Sequence, residues 1–289
     1  MPLSSELLGH STREFTTAVD ARWLMAYAAS IDDMAECYFD TTRQIAAHPV
    51  FPVCLEWDAV LAQRRGSGIQ SLLPAELTRA VHAEHDIHLL QPIRPDLALS
   101  TTATAIAVEQ RGPGAYLTQR IDTVDLAGSC YCRTYYGTLF RGVPLSGPAT
   151  AIETAPAWPD IAPTTPREFD VNIAANAAHL YTEGARIWNP IHTDRAAALA
   201  ANLPGLILHG TATLARAVSV LVREYLGGDP LSVTRLGGRF SGMVRLGTLL
   251  KVVVEGQTAN ALAFRVVNPD GSDAIRRGFL CHRNQSPAS

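Results

Sequence analysis

The sequence has no excess of charge of one sign. Its 27 acidic side chains face 24 basic ones, for a formal net charge of −3 over 289 residues. Without a basic surplus there is little to neutralise a phosphate backbone, which excludes nucleic acid as the main partner. Long apolar runs are missing too. The richest stretch, 203–222, is broken by His209, Thr211, Thr213 and Arg216, whereas a membrane helix needs about 18–20 continuous apolar residues. The first ten residues lack the cationic, apolar and small-residue succession of a signal peptide. Cysteine is sparse and odd in number. The five, at 37, 54, 130, 132 and 281, fit no disulfide framework. Cys130 and Cys132 stand two apart in a β-rich run, which puts both on one strand face. They lack the two-residue spacer of a redox or zinc pair and read as small buried hydrophobes. No Gly-x-Gly-x-x-Gly follows a strand and no Walker-type loop is present, so nucleotide binding loses ground. Methionine and tryptophan, four each, are scattered. What is there is 47% hydrophobic residues, enough for a sizeable core. The expectation is a soluble, cytoplasmic, globular protein.

A proline-rich stretch near the midpoint divides the chain. Six prolines between 143 and 168 forbid a continuous helix or a central strand and mark a linker. This predicts an amino-terminal half at 1–142 and a carboxyl-terminal half at 169–289. In the second half a short alanine-rich helix is expected at 194–202 and a longer one at 211–226. The longer one has Leu214, Ala217, Val218, Leu221, Val222 and Tyr225 in one apolar stripe and stops at Gly227-Gly228. Strands follow at 232–240, 249–256, 261–267 and 274–282, with Asn268-Pro-Asp-Gly271 as a turn. The first half repeats the order less cleanly, with helices at 20–31 and 51–61. Its strands are expected at 83–90, 98–109, 115–126 and 129–140. Helices followed by an antiparallel meander, twice over, predict an α+β fold.

The segment that carries chemistry is Tyr181-Thr-Glu-Gly-Ala-Arg-Ile-Trp-Asn-Pro-Ile-His192, followed by Leu208-His-Gly-Thr-Ala-Thr-Leu214. It resembles the MaoC-like (R)-specific enoyl-CoA hydratases and (3R)-hydroxyacyl thioester dehydratases. Their signature is an aromatic residue, a spacer, Ser-Gly-Asp-x-Asn-Pro-Leu-His and a small residue six positions on. Tyr181, Asn189, Pro190, Ile191, His192 and Ala198 fall at matching places. In the first half, Tyr27-Ala-Ala-Ser-Ile-Asp-Asp33 and His48-Pro-Val-Phe-Pro52 look like the degenerate half of two-hotdog members. The resemblance implies a double hotdog, in which each half wraps an antiparallel sheet around a long helix. It further implies a hydro-lyase of fatty acid metabolism working as a homodimer. The substrate would be an acyl-CoA or acyl-carrier-protein thioester, with no separate cofactor, no metal and no membrane or nucleic-acid partner.

One departure stands out. The signature Gly-Asp is here Arg186-Ile187, so the acidic member of an acid/base pair is absent. Losing such a group typically costs ~10²–10⁴ in rate. Glu183 and Asp194 are nearby carboxylates that can compensate, and Asp32, Asp33 and Glu36 lie in the other half. Alternatively, His192 works with Asn189 and a water, or the chemistry has changed to another thioester or polyketide-type reaction (isomerisation, cyclisation, dehydration). A non-catalytic acyl-thioester binding protein is the remaining class.

The residue types assign roles within the resemblance. His192 exchanges a proton near neutrality, and Asn189 orients water or ligand through an amide donor and acceptor. Gly210 offers an N–H at a helix start, where donors are unsatisfied and the dipole is positive; it equally permits a tight loop-to-helix turn. Arg186, His209 and Thr211 are candidate substrate contacts. Arg186 suits a carboxylate or phosphate as well as a solvated surface, and His209 suits local packing. His82, His85 and His88 suggest a metal cluster, but a spacing of three on a strand puts neighbours on opposite faces.

Overall fold

The computed structural model describes residues 2–65, 69 and 72–283. Its principal elements run β1 (Phe15–Val19), α1 (Ala21–Ser30), α2 (Pro52–Gln63), β2 (Ala80–Leu89), β3 (Leu97–Arg111), β4 (Gly114–Asp125) and β5 (Cys130–Arg141). They continue with β6 (Pro163–Ile173), α3 (Ala177–Ala185), α4 (Arg195–Ala200), α5 (Gly210–Tyr225), β7 (Val233–Phe240), β8 (Thr248–Gln257), β9 (Ala261–Val267) and β10 (Asp273–His282). None of the described helices is long and apolar enough to cross a membrane.

The chain divides into two compact units. One holds residues 1–17, 55–90 and 98–157; the other holds 18–54, 91–97 and 158–289. In the first, β3, β4, β5 and β2 pair antiparallel in that order, and β1 runs beside β3. Ala59 and Val60 of α2 pack on Ala103, Ile121 and Tyr136 of this sheet, all buried. In the second unit, β6, β8, β9, β10 and β7 pair antiparallel in that order. The central helix here is α5, which packs on β6, β7 and β10. Its stripe Leu214, Ala217, Val218, Leu221 and Val222 is buried, and each fully buried Val or Leu contributes roughly 1.5–3 kcal/mol. Past Tyr225 the chain turns through Gly227 and Gly228 at positive φ, and Gly228 N–H returns to Val222 O at 3.0 Å. Only glycine takes this pair of conformations without strain.

Both sheets use the same strand order, so the chain is an internal repeat. The repeat extends to the helices, since α1 follows β1 as α3 follows β6. A single 3-10 turn comes next in each copy, Glu36–Tyr38 in the first and Pro190–His192 in the second. Tyr38 closes its turn eleven residues after Tyr27, just as His192 closes its own eleven residues after Tyr181.

Three expectations need revision. The proline-rich linker does not end at 168: β6 begins at Pro163 and contains Pro166. The strand is tolerated because it lies at the sheet edge, pairing only β8 among the described residues, so the missing N–H groups interrupt no central ladder. The compact units also cut across the division at the linker, because α1 and the Glu36–Tyr38 turn belong with 158–289 rather than with the first sheet. Finally, His82 and His85 do not point apart. The β2–β5 register shifts between His82 and Glu84, and a bulge there adds a residue and resets the face alternation. Their rings meet, with His85 Nδ1 2.9 Å from His82 Nε2, and His85 lies 3.3 Å from buried Glu56 of α2. No disulfide joins any of the five cysteines, all of which lie among the described residues.

Candidate active site

The motif folds as two caps in series. Helix α3 ends at Arg186, which takes the left-handed conformation at φ 56°. The N–H of Ile187 then turns back to Thr182 O at 3.1 Å. This geometry accounts for a glycine being at home where Arg186 stands. The Arg186 side chain is exposed, with its guanidinium 4.0 Å above the Trp23 ring. Ile187 is buried at 5% exposure, an apolar side chain at the position where the resemblance implies a carboxylate. Pro190 opens the 3-10 turn, where its fixed φ and missing N–H cost nothing, and His192 closes it. Asn189 precedes the turn without capping it, and its amide makes no hydrogen bond to a described residue. It lines an open cleft of about 340 Å³ with His179, Thr182, Glu183, Trp188, Pro190 and Thr193.

His192 is buried, at 8% exposure. Its Nδ1 lies 2.9 Å from Ile207 O, an acceptor only, so Nδ1 carries the hydrogen and Nε2 keeps its lone pair. Burial pushes its pKa down to about 4, against a smaller upward pull from that carbonyl. The ring stacks on His209, with centroids 3.6 Å apart. Burial, and then the neighbouring His192, hold His209 well below its ordinary value. Both rings are therefore neutral at pH 7. His209 Nε2 meets Thr182 Oγ1 at 3.3 Å, and Tyr181 donates to Thr211 Oγ1 at 2.9 Å.

His209 precedes the first residue of α5, Gly210, without capping the helix by its side chain. A Cβ on Gly210 would come within 2.9 Å of the Phe240 ring, so the position is packed closely as well as placed at a helix start. His192, His209, Tyr181, Thr182 and Thr211 thus form one buried group at the start of α5. Arg186, on Trp23, is not joined to that group by any hydrogen bond to a described residue. Glu183 is exposed in the Asn189 cleft. Asp194 is also removed as a partner for His192: its carboxylate accepts from Ala196 and Ala197 N–H and caps α4. Among the described residues no carboxylate contacts His192.

Sequence reasoning missed the contribution of residues 18–54 to this unit. Tyr27 lies 5.9 Å from Tyr181, ring to ring, and Trp23 Nε1 donates to Gly184 O at 2.9 Å. The repeated aromatic spacing, Tyr27 to Tyr38 and Tyr181 to His192, was the available signal.

Comparison with known proteins agrees with this architecture. Residues 160–270 match the family described as "MaoC like domain", and residues 6–127 match "FAS1-like, dehydratase domain region". The chain is 27% identical over 203 residues to "Enoyl-CoA hydratase ChsH3" of Mycobacterium tuberculosis, covering 69% of this chain and 68% of that one. It is 32% identical over 143 residues to "Fatty acid synthase beta subunit pigK" of Monascus ruber, covering 48% of this chain and only 7% of that relative. The fold is that of a MaoC-like dehydratase from Phytophthora capsici, with a TM-score of 0.80 at 20% identity, covering 96% and 97% of the two chains. It is similar too to a Mycobacterium tuberculosis protein with a double hotdog fold, with a TM-score of 0.62 at 13% identity and 95% of each chain covered.

Proposed function

We propose that the chain, which carries a MaoC-like domain at 160–270 and a FAS1-like dehydratase region at 6–127, adds water across a 2-enoyl thioester, or removes it from a 3-hydroxyacyl thioester. The observation that supports this most directly is the neutral His192, whose Nδ1–H is committed to Ile207 O and whose Nε2 is left as a base. On this reading the thioester carbonyl lies against Gly210 N–H, and Asn189 and His192 Nε2 hold the water. His192 takes a proton from the water as the oxygen bonds to C3. The double-bond electrons move toward the thioester oxygen, and the N–H at the start of α5 offsets the charge that develops there. The imidazolium then returns the same proton to C2, so one base serves both steps. CoA or an acyl-carrier protein is the handle of the substrate, and the working form is a cytoplasmic homodimer.

Replacing His192 with Ala should lower kcat/KM for trans-2-hexenoyl-CoA hydration by ~10²–10⁴-fold. Undiminished turnover would end this reading. The buried Ile187 favours a second one, a changed thioester chemistry in a purpose-built apolar site. Ile187→Asp separates the two: a large gain in hydration marks the natural protein as impaired for it, and a loss marks the apolar wall as functional.

A further inference from the structure

The mid-section of α5 holds a buried cation that nothing in the proposed reaction uses. Arg216 is 7% exposed, and its Nε is buried without a hydrogen-bond partner among the described residues. Burial lowers its pKa, and the charge of Asp32, exposed beyond the end of α1, opposes that only in part. An uncompensated buried charge is among the costliest features a fold can carry. One turn further along α5, Ser219 accepts from His48. His48 Nδ1 already accepts Val50 N–H at 3.1 Å, so its Nε2 carries the hydrogen directed at Ser219 Oγ, also at 3.1 Å. Tyr38 stands 5.7 Å from His48, ring to ring, and its buried hydroxyl has no hydrogen-bond partner. Tyr38 is the first-copy counterpart of His192. The Tyr38 hydroxyl and the Arg216 Nε are thus both buried without a hydrogen-bond partner, the first beside His48 and the second one turn of α5 from Ser219.

The spacing ties this group to the thioester end. Arg216 follows His209 by seven residues, two turns on the same helix face and about 10 Å along the axis. Side chains on a helix lean toward its amino terminus, the end of α5 that carries Gly210. A planar guanidinium takes a carboxylate through two parallel N–H···O bonds.

We propose that Arg216 anchors a carboxylate at the far end of the acyl group, which makes the substrate class a 2-enoyl thioester ending in a carboxylate. The proposal rests on the hydratase reading above and narrows it.

The test compares trans-2-hexenedioyl-CoA with trans-2-hexenoyl-CoA in the wild type, Arg216→Met and Arg216→Lys. The wild type should favour the carboxylate-ended thioester in kcat/KM by at least about tenfold, the scale of charge-assisted hydrogen bonds. Arg216→Met should collapse that ratio toward one, mainly through KM, while Arg216→Lys keeps part of it. A wild-type ratio near one, or a ratio unchanged in Arg216→Met, overturns the proposal. Should the wild type hydrate neither thioester, the hydratase reading fails, and calorimetric binding of the same two compounds decides Arg216 on its own. A carboxylate preference lost in Arg216→Met then supports the anchor, and equal affinities refute it. Equal weakening of free CoA binding by Arg216→Met also refutes it, because the anion recognised would then be a nucleotide phosphate. Melting temperature supplies the folding control: removing an unpaired buried charge should leave it equal or higher. If Arg216→Met melts far lower, the Arg216→Lys ratio decides instead.

Discussion

His192 shows how one backbone carbonyl sets the chemistry of a side chain. Ile207 O fixes which nitrogen carries the hydrogen, and burial fixes the charge. A base with a pKa of about 4 is neutral throughout the physiological range. The acid limb of kcat/KM for hydration should therefore fall near pH 4, not near the ordinary histidine value of 6.5. A pH–rate profile with its limb near 6.5 would show that His192 is more solvated, or paired with an anion. Arg186 illustrates a different balance. Its left-handed conformation costs about 1–2 kcal/mol relative to glycine, and stacking on Trp23 returns ~0.5–1 kcal/mol of that.

Helix α3 presents its motif loop correctly only if it sits closely on α1, and Gly184 is the point of approach. A Cβ at this position would lie 2.5 Å from Ser30 Cβ and 2.7 Å from the Ala26 carbonyl oxygen. The Gly184 carbonyl also receives the Trp23 indole N–H. Gly184→Ala gains ~1 kcal/mol of helix propensity, but overpacking against a fixed backbone costs about 1–3 kcal/mol. The net effect should be a lower denaturation midpoint with reduced hydratase activity, read by urea unfolding and turnover together. A stabilised, fully active Gly184→Ala would show that α1 and α3 are not in this contact. In β2, the bulge that brings His82 onto His85 shows that strand-face arguments hold only while the register is unbroken.

Across the whole molecule, buried neutral histidines couple stability to pH. His48 and His192 both have folded-state values of about 4 against 6.5 unfolded. Burial is the main cause in each case, with Asp33 pulling His48 slightly upward. Between those values the unfolded chain binds more protons than the folded one, so stability falls as pH drops from 6.5 toward 4 and levels off below. The two groups together should remove several kcal/mol over that window. Urea midpoints measured across it should decline steadily, and His48→Gln should flatten the decline. A midpoint insensitive to pH would mean that these imidazoles are solvated.

The sequence by itself determined the periodic parts of this protein. The α5 stripe, the Gly227-Gly228 stop, the β8–β10 meander with its Asn-Pro-Asp-Gly turn and the Asn-Pro-x-His turn follow from local conformational preferences, which need no distant partner. The motif residues Tyr181, Asn189, Pro190 and His192 were legible through resemblance to a family signature whose spacing runs from helix α3 into the following turn. The tertiary structure decided what depends on residues far apart in the chain. It placed residues 18–54 with the motif unit, admitted prolines into β6 by putting that strand at an edge, and set His209 against His192. It also showed that Asp194 is used as a helix cap and that Arg216 Nε is buried without a hydrogen-bond partner among the described residues. A side chain's protonation and partners depend on what surrounds it in three dimensions, and that information is not present at its own position in the sequence.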